Sequence, residues 1–527
     1  MRSVLKISSV AVLIFFAFNV QGFGQTVTPT SDGTGISADN APAGNGAWRT
    51  LNDILIEETA PGQLQPGDIR LQVPNGFEWD TGGADPTFNV TSPKKTNITV
   101  TLSSRSSSEI VFNLSGTSTG PPKNNPHTIE FDGLRIRPSQ GSPLASGEIR
   151  NAGSSAPGGT TNYGTISMVA GADNKVRVET QPNSSGSVVA VQDLEAGNSI
   201  SVYSNVRDQF NNFKRNESAT WSLQNTTDGV VISDLSASGT SATFTGDLVG
   251  SANIQATVGS LNTVQSGTIT VIPSNATTLI IATQPSSTAT AGTTFGTQPV
   301  IEIQDDYTNV ITDDNLTQIT ASRNSGEGAL QGTKTITVSN GIATFSNLSH
   351  QVSNTIDLTF SATGFSSVTS NSITINPAAA DKLTFTVQPA NGNRNTALSP
   401  PVEVQIQDQF SNNVSDQDTT VTLSLNSGSG NISGNTATTN ASGTAVFNSV
   451  SFNQTGTKNI IASATGLNSS GVSNDFTIAN AGTLAGFEIE LSGGGTIGTQ
   501  TAGKTTSSTA QGKSFSRTAR WHVLGPH

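Results

Sequence analysis

Ile301-Glu302-Ile303-Gln304-Asp305-Asp306-Tyr307-Thr308-Asn309 and Val404-Gln405-Ile406-Gln407-Asp408-Gln409-Phe410-Ser411-Asn412 match residue for residue in type. Apolar and polar side chains alternate in each, the period of a strand with one face buried, and then give way to an acidic turn. Val206-Arg207-Asp208-Gln209-Phe210-Asn211-Asn212 carries the same strand end and turn. On this pattern Ile301, Ile303, Val404 and Ile406 are expected to point into a core, with Glu302 and Gln405 outward.

Working outward from these copies exposes a repeat. A Gln-Pro pair precedes each of them, at Gln181-Pro182, Gln284-Pro285 and Gln388-Pro389, with the prolines 103 and 104 residues apart. Each pair closes a short apolar run, so it reads as the end of a first strand, the proline stopping the ladder at an edge. Downstream, Gly341-Ile342-Ala343-Thr344-Phe345 matches Gly443-Thr444-Ala445-Val446-Phe447, and Ser361-Ala362-Thr363-Gly364-Phe365 matches Ser463-Ala464-Thr465-Gly466-Leu467. The earliest copy offers only Ala242-Thr243-Phe244 in place of the first of these. About seven short runs per hundred residues, bounded by turn signals, is the spacing of a two-sheet sandwich.

The Gln-Pro strand, the Gln-Asp-x-aromatic-x-Asn turn and the Gly-x-Ala-x-Phe strand resemble bacterial immunoglobulin-like domains of the invasin and intimin type, the group often called bacterial Ig-like domain 1. The resemblance covers roughly residues 173 to 480 and implies an extracellular stalk or adhesin that holds a binding surface away from a bacterial cell. The fold expected is all-β: tandem immunoglobulin-like Greek-key β-sandwiches preceded by a distinct N-terminal β-sandwich module. The expected boundaries are 26–172 for that module and 173–273, 277–376 and 379–479 for the repeats. Residues 481–527 would be an incomplete further unit, truncated or frame-shifted. The proline-containing links Ile272-Pro273-Ser274-Asn275-Ala276 and Asn376-Pro377-Ala378-Ala379-Ala380 are short enough to limit hinge freedom.

Composition agrees with this class. Charged residues make up 12% of the 527, about half the usual share, and Thr, Ser, Asn and Gly replace them. The formal charge of −12 makes nucleic acid and anionic membrane surfaces poor partners. With no cysteine, thiol nucleophiles and cysteine zinc sites are ruled out. Arg2 and Lys6 before the apolar stretch Val10 to Phe18, then Gly22-Phe23-Gly24, read as an export signal over residues 1–24. The chain is therefore expected to be secreted or displayed on the cell surface, and not membrane-spanning once the signal is removed.

The N-terminal module also alternates, through Ile54 and Ile56, then Ile69, Leu71 and Val73, then Ile110 and Phe112. Its Leu55-Ile56-Glu57-Glu58, followed by Gly67-Asp68-Ile69-Arg70-Leu71-Gln72-Val73-Pro74-Asn75-Gly76-Phe77, is similar to sandwich modules of the cohesin-like or carbohydrate-binding kind. Its Trp48 and Trp79 would stack on a sugar ring if exposed, or fill the core if buried. That leaves a second reading, a carbohydrate-binding protein or an accessory region of a polysaccharide-degrading system.

Catalytic chemistry has little to stand on. His127, His350, His522 and His527 are scattered, and aligning Phe345 with Phe447 sets His350 opposite Phe452. A carboxylate pair for glycoside hydrolysis could be drawn from Glu57, Glu58, Glu78 and Asp80, which share the N-terminal module. We expect no enzyme activity and no cofactor. Calcium is the one ion to consider, through Asp305, Asp306 and Asp408, against ordinary turn chemistry in which Asp and Asn bond their own backbone. The extracellular protein or glycan partner is left unnamed by the residues.

Overall fold

The computed structural model describes residues 25–60, 62–91, 98–116, 127–481, 490–491 and 495–496. The expected export signal lies outside the described residues. So does the expected incomplete unit, apart from the two short paired strands Glu490–Leu491 and Gly495–Thr496. Among the described residues the chain is all-β, its helical content being the 3-10 turns Ala38–Asn40 and Ile232–Asp234. No helix among them is long and apolar enough to cross a membrane. Two compact units divide the chain: Met1–Ile280 with Glu302–Leu316 and Ser339–Ile342, and Ile281–Ile301 with Thr317–Val338 and Ala343–His527.

The first unit begins with the N-terminal module. Its largest sheet runs in the order Ile36–Ser37, Gly164–Val169, Ser146–Asn151, Gly67–Gln72, Glu109–Ser115, Thr99–Arg105. A second sheet joins Gln25–Thr28, Ile54–Glu58, Thr128–Asp132 and Thr87–Thr91. Every other residue of these strands faces one core: Ile54, Ile56, Ile69, Leu71, Phe112 and Phe131 are all buried. Phe112 and Phe131, one from each sheet, meet at 4.6 Å between ring centroids. That contact ties the two layers together.

The first repeat has its own core, with Val176, Val178, Val202, Phe244, Ile254 and Ile269 buried in it. Its opening strand shows what the Gln-Pro pair does. Lys175–Glu179 pairs antiparallel with Ser199–Arg207, and the chain then passes through Gln181-Pro182 to Gln192–Glu195, which pairs parallel with Ile269–Ile272 of the opposite sheet. One sheet therefore runs Leu235–Ser238, Ser241–Thr245, Ser199–Arg207, Lys175–Glu179, and the other Gln192–Glu195, Ile269–Ile272, Gly250–Thr257, Thr220–Asp228. This is the immunoglobulin-like arrangement, with a first strand split between two sheets.

The third repeat, in the second unit, follows the same plan. Lys382–Val387 pairs antiparallel with Val402–Gln407, and Gly392–Asn393 pairs parallel with Phe476–Ala479. In the second repeat Thr288–Thr290 pairs parallel with Ile373–Asn376. The Gln-Pro pair thus ends one ladder, as its sequence suggests, but at a crossover between sheets. Proline suits the crossover because it has no N–H to leave unpaired. The glutamine fastens it: Asn371 N–H donates to Gln284 Oε1 at 3.0 Å, and Asn474 N–H to Gln388 Oε1 at 2.9 Å.

Ile301, Ile303, Val404 and Ile406 point inward as the alternation requires. Gln405 departs from it, since the residue expected outward is buried. The turn carrying Ser442 covers that face, and Gln405 Nε2 donates to Ser442 O at 2.9 Å while its Oε1 accepts from Thr444 Oγ1 at 2.6 Å. Ala242-Thr243-Phe244 also proves to be a displaced copy. Val202 and Val402 each lie six residues before the turn Asp, yet Ala242 opposes the first and Phe447 the second. The shift of two residues preserves which side chains face the core.

Phe447 is 1% exposed between the sheets of the third repeat. Phe447→Ala should destabilise that sandwich by about 3 to 5 kcal/mol, read as loss of amide-exchange protection on the strands Val402–Gln407 and Thr444–Phe447. A loss under about 1 kcal/mol would place this ring outside the core that the fold depends on.

Candidate functional site

The geometry that recurs along this chain is found at the strand end where each alternating run meets its acidic turn. In the third repeat, Asp408 Oδ1 accepts the N–H groups of Phe410 at 2.9 Å and Asn412 at 2.8 Å. Its Oδ2 accepts Ala378 N–H of the preceding link at 2.9 Å and the Asn412 amide at 2.8 Å. Asn412 then reaches beyond its own sandwich, donating to Gln351 O at 2.7 Å and accepting Ser353 N–H at 2.7 Å.

The second repeat repeats every bond. Asp305 accepts Tyr307 N–H and Asn309 N–H on one oxygen, and Ser274 N–H of the link at 2.9 Å and the Asn309 amide at 3.0 Å on the other. Asn309 donates to Asp247 O at 2.8 Å and accepts Val249 N–H at 2.8 Å. At the first repeat, Asp208 accepts Phe210 N–H, Asn212 N–H, Gly171 N–H and the Asn212 amide, and that amide also donates to Gly141 O at 2.7 Å. One turn therefore closes on itself, clamps the incoming link and bonds the previous module.

The aromatic residue inside each turn adds an apolar contact. Phe210, Tyr307 and Phe410 lie against Gly141, Gly197 and Gly292 of the preceding module, so closely that a Cβ at Gly141 or Gly292 would sit 2.2 Å from a ring carbon and one at Gly197 2.0 Å from the Tyr307 hydroxyl. Gly197 and Gly292 also have φ of 84° and 77°, a conformation costly for residues with a Cβ. The third repeat holds Asn395, at φ 58°, in the corresponding place; its N–H donates to Phe452 O as that of Gly292 does to His350 O. Thr308 is β-branched and yet sits at φ 71° inside its turn. The bonds converging on Asp305 outweigh that strain.

These bonds show how the carboxylates of Asp305 and Asp408, the residues considered for calcium, are engaged. Both carboxylates are buried, 2% and 0% exposed, and each has its oxygens filled by N–H donors. Burial pushes their pKa up, but the amides of Asn309 and Asn412 and the backbone N–H groups outweigh it and hold both below the ordinary 3.8. A carboxylate so occupied has no lone pair aimed at a cation. Asp306 is exposed, and among the described residues no three His, Asp or Glu side chains gather where an ion could sit.

The N-terminal candidates also resolve into structural roles. Trp79 is 1% exposed in the core, its indole N–H donating to Leu71 O at 3.0 Å, so it is unavailable to stack on a sugar. Trp48 is half-buried with the Arg137 guanidinium 4.0 Å above its ring. Glu78 accepts from Arg137 Nε at 2.7 Å, and Asp80 pairs with Arg135 at 2.8 Å while accepting Gly82 and Gly83 N–H. Burial pushes the Asp80 pKa up, but those N–H groups and Arg135 hold it below the usual value, the opposite of a general acid. Glu58 accepts Leu64 N–H at 2.6 Å and lies 2.7 Å from His127 Nδ1. Glu57 follows the other face of the same strand.

Sequence reasoning missed one group that serves the first joint. Glu179, fully buried, accepts from Arg207 Nε and Nη2 at 2.6 Å each and from the Asn205 amide at 2.6 Å. Arg207 Nη1 donates in turn to Asn211 O inside the acidic turn, at 2.7 Å. From sequence, Arg207 had no role beyond its place in the strand end that leads into the turn. Its partner, 28 positions away, carried no local sign.

No family model and no curated protein matches this sequence. Among solved structures, the chain is similar to FdeC, described as an Escherichia coli adhesin, at 14% identity over 68% of this chain and 98% of that one, with a TM-score of 0.28. It is similar to Yersinia pseudotuberculosis InvD at 17% identity over 54% and 94% of the two chains, TM-score 0.27. It is similar to the I-band fragment I67–I69 of titin at 12% identity over 58% and 99%, TM-score 0.25. Scores of this size mark no common arrangement of whole chains.

Proposed function

We propose that this chain is a non-catalytic extracellular spacer, the shaft of a bacterial stalk or adhesin of the invasin and intimin type, exported by its N-terminal signal. Its modules would divide at 172/173, 273/277 and 376/379. The observation that carries this reading is the joint, built three times from Asp-x-aromatic-x-Asn at residues 208–212, 305–309 and 408–412. A flexible linker would need none of this. Here the link's own N–H groups are bound to a buried carboxylate, and an amide and a ring engage the previous module, so bending at a joint requires breaking several contacts together. Holding successive modules at a fixed angle is what a spacer requires. Within the N-terminal module Glu58, Glu78, Asp80 and Trp79, the candidates for acid, base or sugar chemistry, are each held by a structural contact.

Since the protein has no cysteine, spin labels can be placed at will. A pair at Ser322→Cys and Ser424→Cys reports on the joint headed by Asp408, and a pair at Ser201→Cys and Leu316→Cys on the joint headed by Asp305. We expect a narrow distance distribution for both. Asn412→Ala should cost the Asp408 joint about 1 to 3 kcal/mol of closure and broaden only its own pair, and Gly292→Ala should do the same by wedging a Cβ against Phe410. Broad distributions in the unaltered protein would refute a fixed joint.

Excess chelator should leave both distributions and the melting temperature unchanged, because the joint carboxylates are already satisfied by N–H groups. Acid acts through those carboxylates in a defined direction. Their folded pKa lies below 3.8, so the stability they contribute is complete above that value and is lost as pH falls through the folded pKa. Loosening of the Asp305 joint already between about pH 6 and 5 would contradict this assignment.

A further inference from the structure

His350 stands where the next repeat has Phe452, and nothing in the joint chemistry above accounts for it. The side chain is fully buried. Its Nε2–H donates to Glu327 O at 2.8 Å, which leaves Nδ1 as the bare lone pair of the neutral ring, and Nδ1 is buried with no hydrogen-bond partner. A phenylalanine would fill this space without an unpaired polar atom. The histidine is therefore a departure that packing does not explain.

Its position gives that departure a consequence. The carbonyl of His350 accepts Gly292 N–H at 2.8 Å, and Gly292 is the residue against which Phe410 packs. The next residue, Gln351, presents its carbonyl to the Asn412 amide, and Ser353 gives its N–H to Asn412 Oδ1. The short segment 350–353 is thus the receiving surface of the Asp408 joint, and His350 anchors it from inside. We propose that His350 is a proton-operated release for this one joint: taking up a proton at Nδ1 expels the ring from its site and carries the receiving segment away from Asn412 and Phe410.

The charged groups around the ring favour this. Protonation places a cation on a fully buried ring, and the backbone carbonyls of Glu327 and Ala329, which favour the charged form, do not offset the cost of that burial. On the strand Gln318–Ser325, Arg323 is cationic and repels a second positive charge, while on the turn that follows it the Glu327 side chain is exposed. On the strand that follows, Asp357 is the titratable residue, and it lies seven positions along. On the facing turn, the Asp408 carboxylate is already occupied by four N–H donors. Burial first, and Arg323 with it, holds the pKa of His350 below the ordinary 6.5. The sign follows: an open or unfolded joint takes up the proton near 6.5 and the closed joint only at lower pH, so closure weakens as pH falls below 6.5.

The Asp305 joint provides an internal control, because its receiving surface at Asp247 and Val249 contains no histidine. The test uses the full chain with the two label pairs described above, between about pH 7.5 and 4.5, a window above the carboxylate transition. The Ser322/Ser424 distribution should broaden about twofold as pH drops below 6.5, while the Ser201/Leu316 distribution stays constant. His350→Phe, the residue used by the next repeat, should abolish the broadening and keep the narrow distribution at neutral pH. In parallel, the imidazole resonance of His350 in the unsubstituted chain should titrate together with the opening. A distribution that stays narrow to pH 4.5, broadening that persists in His350→Phe, or an imidazole that titrates without opening would each overturn the proposal.

Discussion

A carboxylate removed from water must be met by donors, and at each joint of this chain the donors come at once from the turn that carries it and from the segment leading into its module. Asp408 binds two N–H groups of its own turn and one of the incoming link, so forming the turn and fixing the link are a single event. Charge-assisted bonds of this kind are stronger than neutral ones, and burial makes their loss more costly. Asn412 could not reach Gln351 and Ser353 with useful geometry unless Asp408 first held its amide and its own N–H. The ring of Phe410 then excludes water from the bonds beside it. The order of dependence runs from carboxylate to turn, from turn to amide, and from amide to the neighbouring module.

Much of the fold was legible because it rests on a period. Alternation placed Ile301, Ile303, Val404 and Ile406 inward, and recurrence near 103 residues separated real strands from chance runs. What alternation does not carry is what covers a strand's other face. Gln405 is buried by a turn nearly forty residues downstream, and Arg207 by a glutamate 28 residues upstream, and neither distance leaves a local mark. The Gln-Pro pair shows the same boundary between kinds of information: proline announces that a ladder stops, but where the chain goes next depends on the opposite sheet.

The joints were visible as a motif and illegible as a mechanism. Asp and Asn close together in a turn describe a cation site and a self-bonded turn equally well, since both use oxygen lone pairs. The deciding quantity is how many N–H groups arrive, and in a β-turn those belong to the backbone, which is the same in every sequence. Two cues did exist. Asn recurs four residues after each Asp, and Gly197 and Gly292 recur ahead of the turns that bury their rings against them. The tryptophans of the N-terminal module illustrate the converse, because an indole that can find both a core and a carbonyl, as Trp79 does, gains more by burial than by display.

The three joints share a core of contacts and differ in what stands behind it, and the differences are chemical. At the first, Asp39 of the N-terminal module accepts Ala172 N–H at 2.5 Å and the Gln209 amide at 2.8 Å, and the Glu179–Arg207 pair braces the turn from within its own repeat. At the second, Tyr307 replaces phenylalanine and remains partly in contact with water, 37% exposed. At the third, the brace is an imidazole with one unpaired nitrogen. Ion pairs that lose a partner leave a buried charge, so the Glu179–Arg207 pair adds to the cost of opening the first joint. An imidazole changes charge within the range that living surroundings span. Identical turns can therefore be given different responses by altering one residue behind the receiving surface, which lets a repeat array keep its joint and vary its behaviour module by module.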